Sequence, residues 1–76
     1  MRVQLLVTKN DFNLPNLEKE LKHLGVRYEI QYIEDNPKIV EELQLRHSPN
    51  ILIDGKLVFQ RQPSEGELKA YFDQLH

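Results

Sequence analysis

The chain has 76 residues, with twelve acids against ten bases for a net charge of −2, three histidines and no cysteine. That length allows one domain, spanning residues 1–76, and a chain this short withdraws only about 60% of its unfolded surface from water, so its core must be thin. With no cysteine there is no disulfide to staple the fold, and no Cys/His cluster offers a structural metal. The lysines and arginines are dispersed among glutamates rather than gathered in a stripe, which argues against nucleic acid as a partner. Apolar runs such as Leu5-Leu6-Val7 are far too short to span a membrane, and Met1-Arg2-Val3 leads directly into a strand-like stretch without a leader pattern. A soluble cytoplasmic protein is expected.

Arg2 to Thr8 (RVQLLVT) is apolar and bounded by the polar run Lys9-Asn10-Asp11, the pattern of a buried strand. Leu14, Leu17, Leu21 and Leu24 then recur at steps of three and four, one stripe of a helix. Pro15 suits its first turn, where a missing N–H costs nothing; Asn13 or Asp11 can cap it, and Gly25 closes it. Val26 to Ile33 alternates, with Val26, Tyr28, Ile30 and Tyr32 on one face and Arg27, Glu29 and Gln31 on the other, which predicts a strand. Asp35-Asn36-Pro37 opens a short helix that turns Ile39, Val40 and Leu43 inward and ends near Gln44 to Arg46.

Two short strands follow, Asn50 to Ile53 and Leu57 to Gln60, around Asp54-Gly55. Asp-Gly between apolar runs marks a two-residue hairpin, because a type I′ turn needs positive φ at both central residues. Ser64-Glu65-Gly66-Glu67 is a capping box, after which Leu68, Tyr71, Phe72 and Leu75 give a last helical stripe. The order β-α-β-α-β-β-α implies a parallel pair joined by a crossover helix, plus an antiparallel hairpin. The expected class is therefore α/β, a four-stranded mixed sheet flanked by helices.

This order, together with the stretch HSPNILIDGKLVF and the tail RQPSEGEL, resembles the thioredoxin fold in its short glutaredoxin-like form. The resemblance implies that the Ser48–Pro49 bond is cis and stands beside the active site. It also implies that the peptide group just before that proline pairs with an extended substrate or with glutathione. The family's Cys-x-x-Cys lies where the loop after the first strand enters the first helix, and its first thiolate attacks a disulfide. In this chain those positions correspond to Phe12 and Pro15, a register favoured by the helical stripe beginning at Leu14, or to Asn10 and Asn13 in a register shifted by two. None of these side chains is a nucleophile at neutral pH, so the redox step is absent.

No other catalytic set stands in its place. His47, two residues before Pro49, has no Ser/His/Asp or Cys/His company; His23 is expected on the solvent side of its helix, and His76 is terminal. Glu41 with Glu42 and Glu65 with Glu67 read as solvated faces and a cap rather than as acid–base pairs. No cofactor and no metal is expected. The reading that remains is a redox-inactive binding module whose partner is a protein or extended peptide, docked on the face where the family's active site lies: Phe12, Asn13, Leu14, Pro15, Ser48 and Pro49. A second copy of the chain is an alternative occupant of that face. The competing readings are an accessory subunit of a redox enzyme system, and a glutathione-type ligand whose carboxylates meet Lys9, Arg46 and Arg61.

Overall fold

The computed structural model describes residues 1–74; Leu75, expected to complete the last helical stripe, and His76 lie outside the described residues. Four strands form one sheet: β1 (Val3–Val7), β2 (Glu29–Tyr32), β3 (Asn50–Ile53) and β4 (Lys56–Phe59), in the spatial order β2-β1-β3-β4. β1 pairs in parallel with β2 and antiparallel with β3, and β3 pairs antiparallel with β4. Helices α1 (Leu14–His23), α2 (Pro37–Leu43) and α3 (Glu65–Asp73) cover the two faces, giving the β-α-β-α-β-β-α order and mixed sheet expected from the sequence.

The two central strands are buried along their whole length because each of their faces meets helices. On one face Val3, Leu5 and Val7 of β1 and Ile51 and Ile53 of β3 pack against Leu17 and Leu21 of α1 and Leu68 and Phe72 of α3. Full burial of a leucine such as Leu17 or Leu21 is worth about 1.5–3 kcal/mol. On the other face Leu6, Leu45 and Leu52 meet Ile39, Val40 and Leu43 of the two-turn α2. This second layer is thinner, and no α2 residue is fully buried.

Local chemistry accounts for the boundaries. Gly25, at φ +71°, ends α1 with a Schellman closure in which Val26 N–H bonds the Leu21 carbonyl and Gly25 N–H bonds that of Lys22. Asp54 and Gly55 both take positive φ, +51° and +83°, as a type I′ hairpin requires. Both halves of the Ser64–Glu67 capping box are formed at the start of α3.

The second strand is shorter than its pattern suggests. Val26, Tyr28 and Ile30 do lean on the larger core, but ladder bonds begin only at Glu29, and Ile33 turns away into a 3-10 turn over Ile33–Asp35. Alternation reports which side chains are buried, and an extended segment alternates whether or not its backbone has a neighbour. β1 begins at Val3, so little strand stands opposite Val26 to Tyr28. Tyr32 is exposed at the end of β2, with the Lys9 ammonium 6.0 Å from its ring centre. In the β3–β4 ladder a bulge between Ile51 and Leu52 on one side and Phe59 and Leu57 on the other inserts Val58 as an extra residue. Val58 and Phe59 consequently both lean on the larger core instead of alternating.

Candidate functional site

Three chain segments meet at the end of the sheet: the loop from Thr8 to Asn13, the turn His47-Ser48-Pro49 before β3, and the end of β4 running into Gln60 and Arg61. Their meeting follows from topology, since β1 ends and β3 begins at the same edge, with Leu6 opposite Asn50. The Ser48–Pro49 peptide bond is cis.

The first two segments are tied by one hydroxyl. Ser48 Oγ accepts the Thr8 N–H at 3.1 Å and donates to Oδ2 of Asp11. The other oxygen of that carboxylate, Oδ1, accepts the Asn13 N–H at 2.8 Å. Of the two capping candidates in the sequence, Asp11 takes the bond, and Asn13 occupies the cap position without a side-chain bond of its own. Below this clamp the fully buried Asn50 donates its amide to the carbonyls of Leu6, at 3.2 Å, and His47, at 2.6 Å. The turn is thus held from both sides by charged or buried polar groups, the stronger kind of hydrogen bond.

The clamp leaves the Ser48 peptide group itself free. Among the described residues neither its N–H nor its C=O has a hydrogen-bond partner. Beside it runs an open groove lined by His47, Ser48, Val58, Phe59, Gln60 and Arg61. Its floor is Val58 and Phe59, with Phe59 edge-on to Tyr71 at 5.8 Å between ring centres.

The charges around this groove are largely spent. Arg61 forms two bonds to the Glu67 carboxylate, which also accepts the Ser64 N–H. The Arg61 bond, helped by Ser64, holds the Glu67 carboxyl down to about 2. Lys9 pairs with Asp35 at 3.2 Å, and its backbone N–H bonds Glu34. Arg46 is exposed and has no hydrogen-bond or ion-pair partner among the described residues. Of the three cations considered for a ligand's carboxylates, two are therefore already paired.

The six residues expected on the docking face divide. Phe12 projects from the loop at 92% exposure, and Asn13 and Pro15 are exposed beside it. Leu14 is half-buried against the larger core, and Ser48 is half-buried in the groove wall. Pro49 is fully buried, so it supports the turn and presents no side chain to a partner. The groove lies on the β4 side of Ser48, and Phe12, Asn13, Leu14 and Pro15 do not line it. Val58, Phe59 and Gln60 were not among the binding residues expected from the sequence, and Arg61 was expected only as a cation for a ligand's carboxylate. The hairpin register was the signal that could have found them, since Phe59 stands opposite Ile51 and the chain runs on from there toward the Ser48-Pro49 turn. His23 is exposed, and no group of three or more potential metal ligands occurs among the described residues.

A model of the thioredoxin domain matches residues 12–73. The chain belongs to the thioredoxin-domain family. The fold is also similar to that of thioredoxin 1 from the thermophilic eubacterium Thermosipho africanus, with a TM-score of 0.71 over 99% of this chain and 93% of the other at 16% identity. No curated protein matches the chain. The chain itself contains no cysteine, and its loop from Lys9 to Pro15 enters α1 without a thiol.

Proposed function

We propose that this thioredoxin-family domain is a non-enzymatic docking module that binds an extended segment of a partner protein along the groove beside Ser48, with Phe12 as a neighbouring apolar contact. The observation that carries this reading is the unpaired Ser48 peptide group, clamped by Asp11 and Thr8 next to an apolar groove floor. A held, unsatisfied N–H and C=O at a sheet end is what an extended peptide needs in order to add its own backbone bonds. With no thiolate in the sequence, such binding leads to no exchange chemistry. Phe12 adds support: an exposed phenylalanine covered by a partner withdraws apolar surface worth about 25 cal/mol per Å² before ordering costs. The glutathione-type reading is weaker, because Lys9 and Arg61 already hold Asp35 and Glu67. An interior of the cell is the setting in which we place the module, and the partner is a protein rather than nucleic acid.

The test is a selection of random heptapeptides displayed on phage, followed by amide-shift mapping of the winning peptides on labelled protein. Shifts gathered at Ser48, Phe59 and Gln60, with Phe12→Ala weakening binding about tenfold, support docking. Enriched peptides that map to another face, or no enrichment at all, overturn it. Reduced glutathione titrated to millimolar concentration is expected to leave the same amides unmoved.

A further inference from the structure

Phe12 and the groove are two halves of one apolar contact that the chain does not close on itself. Phe12 is 92% exposed, and its ring does not line the groove of its own chain. The groove stays open, with a volume of about 720 Å³ above Val58 and Phe59. Ser48 stands between the two: its hydroxyl donates to Asp11, in the loop that carries Phe12, and the residue itself lines the groove. A projecting ring and a hollow flanking one point make a face that matches itself under a two-fold rotation, which is what an isologous dimer requires.

A two-fold axis also sets the charges of such a face against their own copies, so a face of one sign repels itself. Here the charges are spent within each chain. Lys9 pairs with Asp35 and Arg61 with Glu67, while the two oxygens of Asp11 are taken by the Ser48 hydroxyl and the Asn13 N–H. The run from Phe12 to Pro15 carries no charge.

We infer that the groove takes Phe12 of a second copy of this chain, each copy laying its ring on the other's Val58 and Phe59. A phenylalanine buries about 150–250 Å². Two rings and the groove walls they cover account for about 600–1,000 Å², short of the roughly 1,200 Å² at which stable interfaces begin. The dimer is therefore weak, with a Kd of roughly 0.1–1 mM, and forms as the protein is concentrated. On the docking reading above, the same groove serves a peptide, so self-association masks the site and dilution opens it.

Sedimentation velocity from about 10 μM to about 1 mM, bracketing that Kd, is expected to show the mean mass rising from one chain toward two. Phe12→Ala should weaken the association at least tenfold and leave the circular dichroism spectrum unchanged. In a sample mixing isotope-labelled with unlabelled protein, intermolecular NOEs should join the Phe12 ring to the Val58 methyls. Protein that stays monomeric at the highest concentration, self-association that Phe12→Ala leaves intact, or intermolecular Phe12 NOEs to another face overturn the inference. Peptides that map to Ser48 on such a monomer leave docking standing. A Phe12-dependent dimer with the expected NOEs, on which no peptide is selected even when dilute, supports this inference and overturns docking alone.

Discussion

Removing the Ser48 hydroxyl tests the clamp that joins the two loops of the site. Ser48→Ala deletes one bond from a backbone N–H, that of Thr8, and one to a carboxylate, that of Asp11. A neutral hydrogen bond contributes about 0.5–1.5 kcal/mol and one to a charged group about 1.5–3 kcal/mol, the higher values applying to well-buried groups. Ser48, Thr8 and Asp11 are each half-buried, so the lower end of both ranges applies and the variant should lose about 2 kcal/mol. Asp11→Ala removes the same charged bond plus the one from Asn13 N–H, for a similar loss of about 2–3 kcal/mol. The shared bond can be lost only once. The double variant should therefore fall short of the sum by about 1 kcal/mol or more, the coupling typical of residues in one network. Urea unfolding followed at 222 nm measures all three variants, with the slope m unchanged if the denatured state is unaffected. At about 4–8 °C per kcal/mol for a domain of this size, each single loss is also visible as a clear drop in Tm. Losses that add within about 0.3–0.5 kcal/mol would refute the clamp as an energetic unit.

Other expectations follow from single residues. Phe12→Ala should change unfolding stability by no more than about 0.5 kcal/mol, because the ring is 92% exposed; a loss of 3–5 kcal/mol, the cost of truncating a core phenylalanine, would mean the ring is buried in solution. Gly66, in the first turn of α3, has open space where a Cβ would go and no positive φ, so Gly66→Ala should stabilise by about 0.4–1 kcal/mol in the same urea titration. The Glu67 carboxyl, held down to about 2 by Arg61 and Ser64, is lowered in the folded state. The stability it contributes is therefore complete above its ordinary value near 4.5 and drains away as pH falls toward 2. Glu67→Gln should flatten that part of the pH–stability curve, and an unchanged acid limb would remove Glu67 as its source. An insulin-reduction assay with pure protein should show no turnover above buffer, since no thiolate exists to attack; turnover would require a nucleophile other than sulfur.

Much of this molecule was written in short-range patterns. The leucine stripe and Gly25 bound α1, Asp54-Gly55 sets the I′ hairpin, and Ser64 with Glu67 starts α3, each through contacts within a few residues along the chain. The absence of cysteine, and with it the loss of exchange chemistry, needs no structure at all. What the sequence could not supply is anything that depends on which distant residues the sheet brings side by side. Asp11 and Ser48 are 37 positions apart, and either could be an ordinary surface residue until the ladder of β1 against β3 brings their loops together. Pro49 looks available in the sequence and is enclosed in the fold. Arg61 looks like a free cation, and its pairing with Glu67, though only six positions on, matches no regular helix or strand spacing that a pattern would show. The bulge that turns both Val58 and Phe59 toward one core is likewise invisible to a two-residue period. Local elements are decided by backbone geometry and near-neighbour hydrogen bonds, which a short window contains. A binding face is decided by strand register and helix return, which pair groups across the whole chain.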